Sequence, residues 1–374
     1  MGKRSSTERT RQSPATSVTT HATAEGTQRY AAVRAQAFVP DFYRTTKHGL
    51  TASSIAIGTY LGESDDETDA RYADALRAAF SDGVNVVDTA INYRCQRSER
   101  VVGQAVQDAI GSGTVRRDEI LLCTKGGYVP LDGSPPASRE EYAAYLEREY
   151  FAPGIVARDD VVAGGHSIAP AFLENQLQRS LRNLGVQSVD CFYVHNPEQQ
   201  LAAVAPDELA RRLRAAFEML EGCVSLGIIG VYGCATWNAL RLPAGSHGHL
   251  SLFELATLAE EAGGKDHHFR MVQLPINLSM AEAVRISTQR DARGRLVHVV
   301  DAAAALGIDI VASAPLMQGQ LTKGLPDGVR ELFPGTTDAQ RALAFVRSVP
   351  AVVSAAVGMR SAAHVRENLA GVRA

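Results

Sequence analysis

Eight short runs rich in Val, Ile and Leu recur along the chain, and stretches with helical apolar spacing separate them. The candidate strands are Ser54–Thr59, Val84–Asp88, Glu119–Thr124, Val189–Val194, Ile228–Gly233, Met271–Pro275, Asp309–Ser313 and Val352–Val357. Their apolar residues are nearly continuous, which fits strands buried on both faces, as in a parallel sheet. Between them, Asp66–Ser81 sets Ala70, Ala73, Leu76, Ala79 and Phe80 on one stripe, and Gly83 ends it. Pro170–Leu184 has proline in its first turn, repeats Leu173, Leu177, Leu181 and Leu184, and stops at Gly185. Arg295–Leu306 is expected to be a helix ending at Gly307 in the same way. Strand and helix alternating in units of roughly 30–45 residues predict an α/β fold, the (β/α)8 or TIM barrel. A doubly wound sheet is the rival, but the Gly-x-Gly-x-x-Gly that would favour it occurs nowhere.

Two segments break the spacing. Phe42–Leu50, turning at Lys47-His48-Gly49, predicts an N-terminal hairpin that plugs the N-terminal mouth of the barrel. Gly126–Ser167 is a long insertion after the third strand, with Pro130, Pro135, Pro136 and Pro153. Ser138 and Glu141 there are spaced as a capping box for a short helix from Arg139. Tyr128, Tyr142, Tyr145, Tyr150 and Phe151 give the insertion (126–168) an expected aromatic surface. It leaves from the face where such barrels do chemistry, so a substrate-shaping lid is expected; a packing insert or oligomer contact is the other reading. Residues 1–40 are rich in Ser, Thr, Arg and Ala without an apolar core. They read as a disordered tail, or as translated sequence ahead of the true start, and 41–374 read as the barrel domain.

Composition narrows the partners. With a net charge of −3 in 374 residues, nothing points to nucleic acid or an anionic membrane. No apolar run approaches the ~20 residues a membrane helix needs. The five cysteines form no Cys-x-x-Cys and read as buried free thiols in a reducing compartment, so a cytoplasmic location is expected. His247-Gly-His249 and Asp266-His-His268 fall in predicted loops without further ligands, and no metal is expected.

Asp88, Lys125 and His195 each close a candidate strand that precedes a helix, and Tyr93 follows Asp88 closely. A barrel gathers its strand ends on one catalytic face, so the four should converge although far apart in sequence. A tyrosine with a pKa of about 10 is a weak acid at neutral pH. An ammonium at ~4 Å, at an effective dielectric of ~20, favours tyrosinate by ~4 kcal/mol, or roughly three pKa units. Desolvation opposes it, and the expected net value lies between neutral and ~9. Asp88 would keep Lys125 charged and in place. A neutral His195 would orient a carbonyl oxygen.

From Tyr43 to its C-terminus the sequence resembles the aldo-keto reductases. Val87-Asp-Thr-Ala-Ile-Asn-Tyr93, followed by Ser98-Glu99 and Gly103, is similar to the family's Asp…Tyr segment. Lys125-Gly126 resembles its lysine segment. Leu173-Glu-Asn-Gln-Leu-Gln-Arg-Ser-Leu-Arg-Asn-Leu-Gly185, then Asp190 and Tyr193-Val-His195, resembles its helix-to-histidine signature. The resemblance implies a catalytic tetrad of Asp88, Tyr93, Lys125 and His195, no bound metal, and NADPH, less often NADH, as cofactor.

For the cofactor, the resemblance implies that Gly58-Thr59-Tyr60 lies under the nicotinamide. It likewise implies that Gln273 would hold the carboxamide, near Asn277, with Ile276 in place of the usual aromatic. Thr236 stands where the family has Ser-Asn. Ser313, Pro315, Leu316 and Gly319, with Leu321, resemble the pyrophosphate loop. Gly358, Arg360, Ser361, His364, Glu367 and Asn368 resemble the adenosine segment. Ser361 is expected to start a helix, whose N-terminus favours phosphate, and Arg360 suggests a 2′-phosphate contact, hence NADPH over NADH.

The implied activity is reversible NADPH-dependent reduction of an aldehyde or ketone to an alcohol, with Tyr93 as proton donor and a small carbonyl or alcohol as substrate. An NADPH-binding regulatory or sensor subunit with little turnover is the alternative, and a lyase or isomerase that retains the cofactor is a third. Many relatives continue past the position of Ala374 into a loop over the substrate, so the 126–168 insertion is expected to supply pocket walls.

Overall fold

A computed structural model of the chain describes residues 20–374. A hairpin of β1 (Tyr43–Thr45) and β2 (Thr51–Ser53) precedes the barrel strands β3 (Ile55–Gly58), β4 (Val86–Asp88), β5 (Leu121–Gly126), β6 (Val189–His195), β7 (Ile229–Ala235) and β8 (Phe269–Pro275). A second hairpin, β9 (Gln289–Arg290) and β10 (Leu296–Val297), comes before β11 (Asp309–Ser313) and β12 (Val352–Gly358). β3 to β8, β11 and β12 pair in parallel around a closed ring. The eight candidate strands are all present, shifted at their ends by at most two residues.

Continuous apolar strands earn this closure by packing on both sides. Val86, Leu121, Cys123, Cys191, Val231, Met271 and Val311 fill the inside, while Ile57, Val87, Leu122, Phe192, Val272 and Ile310 face the helices. Each such side chain stabilises the fold by ~1.5–3 kcal/mol when fully buried. β7 and β8 slip register at Gly233, where an added Cβ would meet Met271 O at 1.7 Å. All five cysteines are free and buried.

The first hairpin does close the N-terminal mouth: Leu50 and Ala52 pack with Ala22 beneath the inner layer of Ala56, Val86 and Leu121. Residues 20–40 correct the expectation of a disordered tail; residues 1–19 lie outside the described ones. Ala24–Arg34 is a helix whose first turn is capped by the Thr23 hydroxyl. Tyr30 is buried and donates its hydroxyl to Phe80 O at 2.7 Å and Val84 O at 3.0 Å. Arg29 pairs with Asp118 and Glu119, both at 2.8 Å.

The helix expected over Arg295–Leu306 is shorter, Val299–Leu306. Upstream, Asp291 Oδ1 accepts the amides of Arg293 and Arg295, both at 2.9 Å, and Gly294 takes φ 77°, so the chain turns into the β9–β10 hairpin.

The insertion after β5 folds around its own small core. Val129, Tyr150 and Val156 pack on Phe172 of the helix Pro170–Leu184. The short helix Arg139–Leu146 is capped by Ser138, while the Glu141 carboxylate reaches the amide of Ala137, one residue before the cap. Tyr142 and Tyr145 donate to Gly164 O and Pro130 O within the insertion. The expected aromatic surface is therefore turned largely inward, and Tyr128 alone carries it to the cavity at the strand ends. Among the described residues no helix is long and apolar enough to cross a membrane.

Candidate active site

The carboxyl ends of the barrel strands surround a cavity of about 820 Å³. β4, β5 and β6 are consecutive neighbours, so Asp88, Lys125 and His195 reach one place from three adjoining strands. Tyr93 joins them from the loop after β4, where Tyr93 N bonds Ala90 O at 3.0 Å. The next three residues, Arg94, Cys95 and Gln96, all hold positive φ, between 50° and 67°. Arg94 anchors this turn by donating Nε to Glu63 O at 2.7 Å.

Lys125 is fully buried and its ammonium is fully used. Nζ donates to Asp88 Oδ2 at 2.8 Å, to Thr89 O at 2.8 Å and to Tyr93 Oη at 3.1 Å. An ammonium has three protons and accepts nothing. Tyr93 Oη is thus the acceptor in that contact, and its own proton remains free for a partner in the cavity that Tyr93 lines. Burial works against the charge on Lys125, but Asp88 and Tyr93 outweigh it and hold the pKa above the ordinary lysine value. For Tyr93 the balance falls the other way. Burial raises its pKa, Lys125 lowers it, Asp88 raises it again, and the net direction is up. The expectation of a value below 10 is corrected on this point, because desolvation of the enclosed phenol outweighs the single ammonium.

His195 stands beside Tyr93, ring centroids 5.9 Å apart, and Tyr128 meets it edge-on at 5.0 Å. Burial first, then Lys125, push its pKa well below 6.5, so the ring is neutral at pH 7. Nδ1 is buried without a partner. Behind the site, Glu99 is buried and accepts Thr124 Oγ1 at 2.6 Å and Asn183 Nδ2 at 2.9 Å.

The expected cofactor residues divide. Gly58, Tyr60, Gln273, Ser313, Pro315, Leu316, Gly319, Gly358, Arg360, His364, Glu367 and Asn368 all line the cavity. Thr59, Thr236 and Ser361 do not. Thr59 Oγ1 bonds Thr89 Oγ1 at 2.9 Å. Thr236 is buried one step behind the wall, its Oγ1 without a partner. Ser361 caps the helix Ala362–Ala370 through the amide of His364. Gln273 Nε2 donates to Asp88 Oδ1 at 2.8 Å, a contact the sequence did not suggest. Asn277 turns from the cavity and ties Ala314 O at 2.9 Å, which steadies the loop after β11. There Ala314, Met317, Gln318 and Gly319 all have positive φ.

Asn92, Asn196, Glu198, Gln199 and Asn238 also line the cavity and were not singled out. All but Asn92 follow β6 or β7 within four residues, so the strand-end rule that located His195 could have found them.

The Aldo/keto reductase family model matches residues 54–328. Aldo-keto reductase AKR2E4 of Bombyx mori is 26% identical over 197 residues, 52% of this chain and 50% of the relative. A 6-dehydroglucose reductase of Novosphingobium aromaticivorans is 25% identical over 216 residues, 56% of each. The alignments thus span about half the length of these curated relatives. An aldo/keto reductase from Klebsiella pneumoniae, solved with NADP and acetate, superposes with a TM-score of 0.58 at 20% identity, covering 88% of this chain and 89% of that one. The holo form of AKR11C1 from Bacillus halodurans gives 0.57 at 19% identity, covering 88% and 90%. The family match covers well over half of the chain, and its closed eight-stranded barrel superposes on these structures: this chain belongs to the aldo/keto reductase family.

Proposed function

We propose that the protein is an NADPH-dependent carbonyl reductase, acting reversibly, with Tyr93 as proton donor. The observation that carries this is Lys125 Nζ set between Asp88 Oδ2 and Tyr93 Oη, with the phenolic proton left over for a ligand in the cavity. When bound, the reduced nicotinamide supplies the hydride. The residues present fit such a group. The cavity volume lies within the ~300–1,000 Å³ range of ligand sites. His195 on its wall keeps Nδ1 without a partner, and Arg360 and His364 border its β12 end.

The chain's own residues would act in defined ways. Neutral His195 donates a ring N–H to the carbonyl oxygen and orients it. Tyr93 delivers its proton to the same oxygen as negative charge develops there, and Lys125 stabilises the phenolate left behind. Asp88 keeps Lys125 charged and aimed. Arg360 would take the cofactor's 2′-phosphate, and Ser361 opens the helix whose N-terminus favours phosphate.

Titration of the purified protein with NADPH and with NADH, followed by quenching of the single tryptophan, Trp237, tests the cofactor half. Trp237 borders the cavity. Tight NADPH binding with weak NADH binding is expected. Consumption of NADPH with simple aldehydes, abolished in Tyr93→Phe, tests the chemistry. Strong residual reduction by that variant overturns the tyrosine assignment.

A further inference from the structure

Asp88, Lys125 and His195 lie within β4, β5 and β6 and take their places from the ring. Tyr93 does not: it stands beyond the end of β4, and its place depends on the turn that follows it. In that turn Arg94, Cys95 and Gln96 hold φ of 50°, 55° and 67° in succession. This left-handed region suits glycine and strains residues that carry a Cβ. Such a turn persists only where its surroundings hold it. Its far end is tied to the insertion, for Gln96 Nε2 donates to Leu131 O at 3.1 Å and Cys95 O accepts Gly133 N at 3.0 Å. The end next to Tyr93 is tied by the Arg94 side chain.

That side chain is 1% exposed and spreads its guanidinium over the loop between β3 and the helix Asp66–Asp82. Nε donates to Glu63 O at 2.7 Å, and Nη2 donates to Asp65 O at 3.2 Å and to the Asp69 carboxylate at 2.5 Å. Tyr72 stacks beside it, ring centroid 5.4 Å from Cζ, and donates Oη to Leu61 O at 2.8 Å. The loop so gripped is a wall of the cavity. Tyr60 and Leu61 line it, and the Tyr60 ring meets that of Tyr93 edge-on at 5.0 Å.

We propose that Arg94 is a positioning residue for Tyr93, its planar fork fixing the phenol against this wall from outside the cavity. The proposal rests on the reading of Tyr93 as proton donor and adds to that site a residue that touches no reacting atom. Proton transfer needs its heavy atoms within ~2.6–3.2 Å, and a misplacement of ~1 Å can slow it by ~10²-fold. Without the guanidinium, the Glu63 and Asp65 carbonyls lose a donor and Asp69 keeps only Arg97. The turn is then free to leave its strained conformation and to carry Tyr93 with it. Glycine at this position removes the fork but suits a φ of 50°, so it separates the guanidinium from the backbone conformation. Lysine keeps the charge but lacks the fixed planar fork.

Arg94→Gly and Arg94→Lys in the full chain test this with NADPH and a saturating simple aldehyde. In Arg94→Gly the single-turnover rate of NADPH oxidation is expected to fall by about tenfold or more, while the Kd for NADPH, read by Trp237 quenching, stays within about twofold. In Arg94→Lys the same rate is expected to fall by at least about threefold, again with NADPH affinity kept. A general weakening of the fold would lower cofactor affinity together with the rate, so equal losses in both overturn the proposal. An unchanged rate in Arg94→Gly also overturns it, because the turn then holds Tyr93 without the guanidinium. A full rate in Arg94→Lys overturns the role given to the fork. Should Arg94→Gly fail to fold, the same split in Arg94→Lys decides. Failure of the unaltered protein to reduce any aldehyde overturns the reductase reading and this inference with it, whereas intact reduction in the variants overturns the inference alone.

Discussion

Gln273 Nε2 donates to Asp88 Oδ1 at 2.8 Å, joining β8 to β4 across 185 residues of sequence. The other carboxylate oxygen of Asp88 accepts Lys125 Nζ at 2.8 Å. Asp88 is thus gripped from both sides, and its direction toward Lys125 depends on the amide as well as on the ammonium. Gln273→Leu removes one of these two bonds and leaves the volume nearly filled. A hydrogen bond to a charged group contributes ~1.5–3 kcal/mol, so kcat is expected to fall by about tenfold or more in the variant. Steady-state kinetics with a saturating aldehyde check this. An unchanged kcat would show that Lys125 alone suffices to aim Asp88.

The raised pKa of Tyr93 sets the pH behaviour. In the proposed mechanism reduction uses the protonated phenol, which persists to the ordinary tyrosine value of about 10 and beyond. Reduction of an aldehyde should therefore stay level through mildly alkaline pH and fall only above that range, while alcohol oxidation, which needs the phenolate, should climb over the same interval. Lys125→Met removes the cation that lowers this pKa, so the alkaline limb of oxidation should move further up. Tyr93→Phe should lower kcat at least ~10²-fold at every pH. Rate–pH profiles of the three proteins in both directions decide it; an alkaline fall in reduction that begins near neutrality would contradict the direction of the shift.

Much of this arrangement was legible in the sequence because strand ends are. Lys125 and His195 each close an apolar run, and parallel closure sends such ends to one face. Other features were hidden for physical reasons. The helix Ala24–Arg34 is held by Tyr30 hydroxyl bonds and by ion pairs of Arg29, not by an apolar stripe, so its periodicity is faint. Composition marked Tyr142, Tyr145 and Tyr150 as a cluster but gave no direction, and they point into the insertion. The Gln273–Asp88 contact depends on the closed ring, which local pattern does not encode. The pKa of Tyr93 turns on the depth of its burial, a property of the assembled barrel.

Arg360 borders the cavity and no acidic side chain pairs with it among the described residues. Its expected partner is the 2′-phosphate. Arg360→Ala should weaken NADPH binding by about ten- to a hundredfold, the range of a charge-assisted contact of ~1.5–3 kcal/mol, and leave NADH nearly unchanged. Calorimetric titration of the variant with each dinucleotide measures the difference. Equal losses for both would place Arg360 on a feature the two cofactors share.

His166, from the insertion, supports the His195 backbone and makes folding sensitive to acid. Arg212 Nη1 donates to Gln200 Oε1 at 2.7 Å, which turns the Gln200 amide so that Nε2 donates to His166 Nδ1 at 2.8 Å. The imidazole proton must then sit on Nε2, which donates to His195 O at 2.8 Å. Burial lowers the pKa of His166 from 6.5 to about 4, more than the bond to His195 O raises it. The unfolded chain takes up a proton near 6.5, whereas the folded protein refuses it until about 4. The contribution to stability is full above the upper value and is lost as pH falls through that window, by up to ~3 kcal/mol. Glu99, whose pKa burial raises, has the opposite sign and partly masks the trend in the unaltered protein. The difference between the protein and His166→Gln isolates the histidine, because glutamine can still donate to His195 O and does not titrate. Urea unfolding midpoints across this acid range should converge as pH falls, the unaltered protein losing stability faster than the variant. Parallel pH curves for the two would mean that His166 is protonated in the fold as readily as in the open chain, and that the Arg212–Gln200 chain does not fix its tautomer.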